Sequence, residues 1–155
     1  MIKILITMLL AIPSLHAAAT PEANGLITVK SKHSVKQTIE KFEKAVKEKG
    51  LKLFTRLDHA AAAKEFGLKM PPATVIVFGN PKMGTPVFIK HPTVAIDLPP
   101  KAMVWQDAKG DVYFSINSAQ YLFETIYPRH GIKPKKDAVK RVTALYEYFA
   151  KAATE

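Results

Sequence analysis

The sequence predicts an α+β domain with a mostly antiparallel sheet. Residues 25–31 and 51–57 each alternate apolar and polar side chains, as half-buried strands do. A helix with a clear start and end lies between them. Further along, residues 101–106 and 111–117 flank a short turn that ends in Gly110, which is typical of a β-hairpin. Together these features predict helices and strands in one layered unit.

The first helix has the clearest sequence signals in the chain. Ser34 and Gln37 form a capping box, in which each side chain bonds to the other residue's backbone N–H. Gly50 ends the helix in a left-handed conformation. Its apolar residues fall on one stripe, as expected for a helix packed on a sheet. They are Val35, Ile39, Phe42 and Val46.

A short helix and a central strand follow the second predicted strand. Asp58 can cap a helix over residues 60–66, which Gly67 ends. Two prolines then separate this helix from residues 73–78. Because residues 73–78 are apolar on both faces, they predict a strand inside the sheet.

The segment between the central strand and the hairpin is predicted to hold one more strand. Residues 79–84 contain two glycines and predict a loop. Residues 85–90 are predicted as a strand, and residues 91–100, with three prolines, as an irregular segment.

The C-terminal part is predicted to be helical. One helix runs from Ser118 to about Tyr127, where Pro128 stops it, and residues 131–137 form a basic linker. A final helix over residues 138–152 carries one apolar stripe, made of Val139, Val142, Leu145 and Phe149. The predicted element order is therefore β-α-β-(α)-β-β-β-β-α-α.

The N-terminus has the pattern of a signal peptide. A positive start at Lys3 precedes an apolar run over residues 4–12, and small residues follow at 17–19. Cleavage is expected after Ala17 or Ala19, which predicts a periplasmic or secreted protein with no transmembrane segment after cleavage. The predicted organisation is a signal peptide at 1–19, an α+β domain at 20–131, and an appended basic helix at 132–155.

The chain is basic, with 23 Lys and Arg against 13 Asp and Glu and a net charge of +10. This balance suggests anionic partners such as lipid headgroups or acidic small molecules, and a merely solvated surface is the alternative. Export and the lack of a nucleic-acid-binding motif argue against nucleic acid. The absence of cysteine excludes thiol catalysis, iron–sulfur clusters and thiolate metal sites.

Neither a phosphate loop nor a metal site is predicted. The glycines at 79 and 84 have phosphate-loop spacing, but the lysine that the motif requires is missing. The histidines lack the short spacing of metal ligands, and the methionines are expected to fill the core. The sequence identifies no cofactor.

Two acidic positions are candidates for chemistry. Asp58 next to His59 could orient an imidazole, or Asp58 could serve only as a helix cap. Asp97 is a lone acid among apolar residues, so it could act as a general base or pair with Lys101. No nucleophile elbow indicates serine catalysis.

Several short motifs over about residues 25–131 together resemble the bacterial family called domain of unknown function 302. These motifs are Asp58-His59, Phe78-Gly79-Asn80-Pro81, Gly84-Thr85, Asp97-Leu98-Pro99 and Trp105. The resemblance implies a curved antiparallel sheet backed by helices, and a dimer. It implies no settled activity.

The resemblance also implies a cluster of motif residues at the ends of strands. If these ends meet, Asp58, His59, Asn80, Thr85 and Asp97 form one polar pocket. The leading hypothesis is a binding module for a small anionic or amphipathic ligand. The alternatives are an enzyme, with His59 as a general base oriented by Asp58 or Asp97, and a structural or interaction protein without pocket chemistry. The sequence does not decide whether the protein is an enzyme.

Overall fold

The computed structural model describes residues 21–155, apart from the side chain of Lys136. The predicted signal peptide lies outside the described residues. Within them, the strands are β1 (Leu26–Lys30), β2 (Lys52–Asp58), β3 (Ala73–Gly79), β4 (Lys101–Gln106) and β5 (Val112–Asn117).

The helices follow in the same chain order. They are α1 (Val35–Glu48), α2 (His59–Glu65), α3 (Pro81–Lys90), a 3₁₀ helix (Pro92–Ile96), α4 (Ala119–Tyr121), a π-helical segment (Leu122–Ile126), α5 (Tyr127–Arg129) and α6 (Lys136–Thr154). None of the helices described within residues 21–155 combines the length and the apolar content that a membrane crossing requires.

The five strands form one antiparallel sheet in the order β1-β5-β4-β3-β2. The predicted α+β class is therefore confirmed, and β4 and β5 form the predicted hairpin. Strand β3 lies inside the sheet between β4 and β2, as its two apolar faces predicted.

One face of the sheet packs against helices α1 and α6 over a core of phenylalanine rings. Phe42 lies at the centre of this core, 5.1 to 5.5 Å from the ring centroids of Phe78, Phe114 and Phe149. All four side chains are buried. Burying each ring contributes about 1.5–3 kcal/mol, so this cluster holds both helices on the sheet.

Helix α1 forms as its sequence signals predicted. The Ser34 hydroxyl accepts a hydrogen bond from the Gln37 N–H at 3.3 Å, and the Gln37 side chain accepts one from the Ser34 N–H at 3.2 Å. Gly50 has a φ of 68°, the left-handed conformation expected after the helix. These contacts span three residues or fewer, which explains why the sequence alone reveals them.

The prediction of a strand at residues 85–90 is wrong, because this segment belongs to helix α3. The Asn80 side chain accepts hydrogen bonds from the backbone N–H groups of Lys82 and Met83, at 3.0 and 3.4 Å. Pro81 occupies the first turn, where its missing N–H costs nothing. Asn-Pro is therefore a helix start here, and the sheet has one strand fewer than predicted.

Helix α6 is packed more deeply than an appended helix would be. Its residues Tyr146, Phe149, Ala150 and Ala153 are buried in the same core cluster as the sheet. The rest of its predicted stripe packs against that cluster while partly exposed. A domain boundary at residue 131 would therefore divide the core, rather than separate the domain from an appended helix.

Candidate functional site

An apolar cavity of about 280 Å³ lies at one end of the sheet, where β3 leads into α3. We call this the cavity end, and the opposite end, where β2 leads into α2, the α2 end. Most of the cavity wall is apolar. Its large apolar side chains include Phe54, Phe78, Val87, Phe88, Leu98 and Leu145.

Helix α3 forms one side of the apolar cavity. At about 100° per residue, Gly84, Val87 and Phe88 fall on one side of the helix, and all three line the cavity. The Phe88 ring lies across the helix at Gly84, where an added Cβ would be 3.4 Å from the ring. Part of the segment predicted as a strand therefore forms the inner face of a helix.

Two tyrosines contribute hydroxyls to this largely apolar space, which Asn80 also lines. Tyr127 and Tyr146 both line the cavity, and Tyr146 is only 4 % exposed. Burial raises the pKa of Tyr146 above its ordinary value, and the nearby Tyr127 raises it further. Burial also raises the pKa of Tyr127. Both hydroxyls therefore stay protonated at neutral pH and can donate hydrogen bonds.

Neither tyrosine hydroxyl has a hydrogen-bond partner among residues 21–155. Tyr148, on the same helix as Tyr146, instead donates to the Glu48 carboxylate at 3.0 Å. The cavity thus presents hydrogen-bonding capacity that the described protein does not use.

A smaller cavity of about 170 Å³ adjoins the apolar one. We call it the polar cavity, because Asp97, Lys101 and Asn117 are among its lining residues. Tyr146 and Leu122 line both cavities, so they form part of the wall between them. Leu122 begins the π-helical segment, and such segments are frequent at functional sites.

A hydrogen-bonded row runs from the 3₁₀ helix to Asp97, on the rim of the polar cavity. The Thr93 hydroxyl lies 2.9 Å from His130 Nδ1, and His130 Nε2 lies 2.6 Å from the Asp97 carboxylate. The His130 side chain is 5 % exposed. Its hydrogen bond lowers the pKa of Asp97, and the charge of Arg129, 3.5 Å away, lowers that pKa further.

Asp97, which the sequence analysis identified as a candidate, therefore pairs with His130, which it did not identify. Asp97 bonds to His130, while Lys101 donates to the Asp97 backbone carbonyl at 2.9 Å rather than to its carboxylate. This contact also ties α5 to the 3₁₀ helix, since the two residues lie 33 positions apart.

The α2 end contains the other Asp-His pair. The Asp58 side chain accepts a hydrogen bond from the Ala61 N–H at 3.0 Å, so it serves as the cap of helix α2. His59 begins that helix and is exposed. The structure therefore supports the interpretation of Asp58 as a helix cap.

The five candidate residues do not meet in one pocket. Asn80 caps α3 and lines the apolar cavity, and Asp97 lines the polar cavity beside it. Thr85 is exposed on α3. Asp58 pairs with Thr74 at the start of β3 and so lies, with His59, at the α2 end. The seven residues of β3 separate the two ends by about 20 Å.

Comparison with known proteins identifies the family. The family model for the domain of unknown function DUF302 matches residues 27–147, which is most of the chain. The chain belongs to the DUF302 family.

Two curated relatives share the DUF302 stretch over part of their length. The chain is 41 % identical over 114 residues to the fluoride-specific ion channel FluC 1 of Brucella suis. It matches FluC 1 of Brucella abortus at the same identity and length. These matches cover 74 % of this chain but only 43 % and 41 % of the relatives. The chain thus spans less than half the length of each.

A solved DUF302 structure has the same fold. The crystal structure of an uncharacterised conserved DUF302 protein from Bacillus stearothermophilus matches with a TM-score of 0.63 at 22 % identity. The match covers 85 % of this chain and 97 % of that one. At this identity, the likeness shows the fold alone.

The family match changes how the C-terminal part is divided. It extends to residue 147 and so includes Tyr127, Tyr146 and the first half of α6. The resemblance of the sequence to DUF302 ended near residue 131. The tyrosines that line the cavity therefore belong to the matched region.

Sequence reasoning missed Tyr127, Tyr146 and His130 as site residues. Tyr146 had one usable signal, since it lies beside Leu145 within the apolar stripe of α6, where a buried phenol usually needs a partner. His130 had none, because its partner Asp97 lies 33 residues away. In the described part of the chain, no three His, Asp or Glu side chains are grouped as metal ligands.

Proposed function

We propose that the protein is a binding module for a small amphipathic ligand, whose apolar part occupies the apolar cavity. The observation that carries this proposal is Tyr146, a residue that lines the cavity, is 4 % exposed, and has a hydroxyl without a hydrogen-bond partner among residues 21–155. A ligand oxygen could accept a hydrogen bond from this hydroxyl.

The cavity limits the ligand by size and chemistry. Ligand pockets commonly measure about 300–1,000 Å³, and the apolar cavity, at about 280 Å³, lies near the lower limit. It therefore suits a small molecule or one end of a longer chain. Protonated tyrosines donate hydrogen bonds, so the polar part of the ligand should be a carbonyl or carboxylate oxygen.

The net charge of +10 supports an anionic head on this ligand. Native mass spectrometry of protein purified from its own cells would reveal a retained molecule.

A pair of tyrosine variants tests the proposal. Tyr146→Phe removes the hydroxyl of a residue that lines the cavity, whereas Tyr148→Phe removes one that bonds to Glu48, on a residue that does not line it. We expect Tyr146→Phe to weaken binding of a fluorescent fatty-acid analogue by roughly three- to tenfold. Tyr148→Phe should leave that affinity unchanged. Equal affinities in all three proteins would reject the role of Tyr146.

A proposed location accompanies this function. The N-terminal pattern supports export to the periplasm or the medium, with cleavage after Ala17 or Ala19. Mass determination of the mature protein from the producing cell tests it. A mature mass that still contains residues 1–17 would reject export by this route.

A homodimer is also proposed, on the family resemblance. Sedimentation velocity over a range of concentrations tests this assembly. A single monomeric species at every concentration would reject it.

The row Thr93–His130–Asp97 favours a second candidate function, ester or thioester hydrolysis. A hydroxyl, an imidazole and a carboxylate in this order can activate a nucleophile. His130 would take the Thr93 hydroxyl proton as the oxygen attacks the acyl carbon, and would return it to the leaving group. Water then releases the acyl group from Thr93 and restores the hydroxyl.

Hydrolysis of p-nitrophenyl acetate tests this second candidate. Thr93→Ala should abolish turnover above background, whereas Thr143→Ala removes a helix hydroxyl that bonds only to the Val139 carbonyl. Turnover that is equal in the two variants and the parent would reject the hydrolase. If neither ligand binding nor hydrolysis is found, the protein belongs to the structural or interaction class.

A further inference from the structure

We propose that helix α3 docks the protein on a bilayer that carries anionic lipid, with the apolar cavity facing that surface. The proposal rests on the proposed function in that an amphipathic ligand would enter from the bilayer. The docking itself is argued from the outer face of α3, which we define as Lys82, Met83, Pro86, Ile89 and Lys90.

The outer face lies on the other side of α3 from Gly84, Val87 and Phe88, with Met83 at its edge beside the cavity. Gly84, Val87 and Phe88 point inward, and at about 100° per residue the outer face covers the other side of the helix. None of the residues of α3 is buried, and Met83 and Ile89 are 71 % and 76 % exposed. A helix of ten residues thus presents apolar side chains to both its cavity and its surroundings.

The adjoining 3₁₀ helix extends this apolar surface. It packs against α3 and carries Ile96, which is 74 % exposed. Large apolar side chains exposed on neighbouring elements are typical of an interaction surface. Met83 also lines the cavity, so the exposed surface reaches the cavity wall.

The charges on this surface favour an anionic partner. Residues 66–96 contain no Asp or Glu, so Lys82 and Lys90 have no acidic neighbour along the chain. Neither lysine forms an ion pair with a described carboxylate. Lysines beside exposed aliphatic side chains are the pattern of helices that lie in the lipid headgroup region.

A second group of cations lies near the same cavity. Lys133, Lys135 and Lys140 are exposed around the start of α6. Two α6 residues just beyond them, Val142 and Leu145, line the apolar cavity. The basic C-terminal region that the composition singled out therefore lies beside the cavity rather than apart from it.

The α2 end supplies a matched control surface. Phe66 and Leu68 are 81 % and 66 % exposed, close to the values for Ile89 and Ile96. They follow the seven-residue helix α2 and lie at the other end of the sheet from the apolar cavity. Serine at these exposed positions should change the free energy of unfolding little.

Vesicle co-sedimentation at low salt tests the docking. Vesicles of phosphatidylcholine and phosphatidylglycerol should bind the full mature protein, and Ile89→Ser with Ile96→Ser should weaken that binding by about tenfold or more. Lys82→Gln with Lys90→Gln should weaken it by roughly fivefold per lysine. Phe66→Ser with Leu68→Ser should bind like the parent. A larger loss in this control than in the Ile89 variant overturns the proposal.

A single fluorophore gives an independent measurement, because the chain contains no cysteine. An environment-sensitive label on Ile89→Cys should shift to the blue on vesicles, and the same label on Phe66→Cys should not. A shift at residue 66 alone, or at neither residue, overturns the docking. So does self-association that the Ile89 and Ile96 variant abolishes, because it would make this face a protein interface.

The two proposals fail in different experiments. Binding of the fatty-acid analogue is measured without vesicles, and vesicle binding is measured without the analogue. If the protein binds vesicles but not the analogue, the proposed ligand is rejected. If it binds the analogue but not vesicles, only the membrane docking is rejected.

Discussion

The two ends of the sheet contain the same pair of residue types and use it differently. At the α2 end, Asp58 and His59 are adjacent in the chain, yet Asp58 bonds to a backbone N–H. At the cavity end, Asp97 and His130 lie 33 positions apart and are hydrogen-bonded at 2.6 Å. The adjacent Asp58 and His59 thus do not pair, and Asp58 caps a helix instead. Asp97 and His130 pair because tertiary packing brings them together.

The difference follows from how each contact forms. A cap needs only the three residues that begin a helix, so it forms wherever that helix does. The Asp97–His130 contact requires α5 and the 3₁₀ helix to be packed side by side. The cavity end should therefore depend on the core behind it, and the α2 end should not.

The largest expected effect tests this dependence directly. Phe149→Ala removes a fully buried ring from the core, and should lower the free energy of unfolding by about 3–5 kcal/mol. Phe66→Ala, at an 81 % exposed position of the α2 end, should change it by less than about 0.5 kcal/mol. Urea denaturation measures both. A loss below about 1 kcal/mol in Phe149→Ala would show that α6 contributes little to the core.

Replacing each aspartate by asparagine sharpens the comparison. Asp97→Asn removes the charge that His130 and Arg129 face, and should cost about 1–3 kcal/mol at neutral pH. Asp58→Asn keeps a side-chain oxygen that caps a helix about as well, so its cost should be under about 0.5 kcal/mol. Equal losses of unfolding free energy in the two variants would contradict the proposed difference.

The pH dependence of stability should also depend on Asp97. The pKa of Asp97 is lowered from its ordinary value of 3.8, chiefly by the hydrogen bond from His130. A carboxyl with a lowered pKa in the folded state stabilises the protein above its unfolded pKa, and loses that contribution as pH falls through the folded value. Between neutral pH and strong acid, the parent should therefore lose more stability than Asp97→Asn. Parallel curves from urea midpoints would contradict this.

The smallest expected effect concerns the hydroxyl on which the proposed function rests. Because Tyr146 has no partner among the described residues, Tyr146→Phe should leave stability unchanged or raise it by up to about 1 kcal/mol. The ligand-free protein should be used, with thermal unfolding as the measurement. A loss above about 1.5 kcal/mol would mean that the hydroxyl makes a structural hydrogen bond.

The elements with clear local signals were predicted correctly, and the main error lies at residues 85–90. Ser34 and Gln37 predicted the start of α1, and Gly110 ends the turn of the β4–β5 hairpin. Residues 85–90 were predicted as a strand. The Asn80-Pro81 cap decided for a helix, because its side-chain hydrogen bonds form within three residues.

The sequence by itself determined the α+β class, the DUF302 family and the cap at Ser34, because each depends on residues close together or on a composite motif. The tertiary structure decided which acid meets which histidine, and that Tyr146 would line a cavity. That cavity joins residues from Phe54 to Tyr146, whose approach depends on two helices burying their apolar faces against one sheet. Burial of this kind is non-directional, so no short stretch of sequence specifies which distant side chains it brings together.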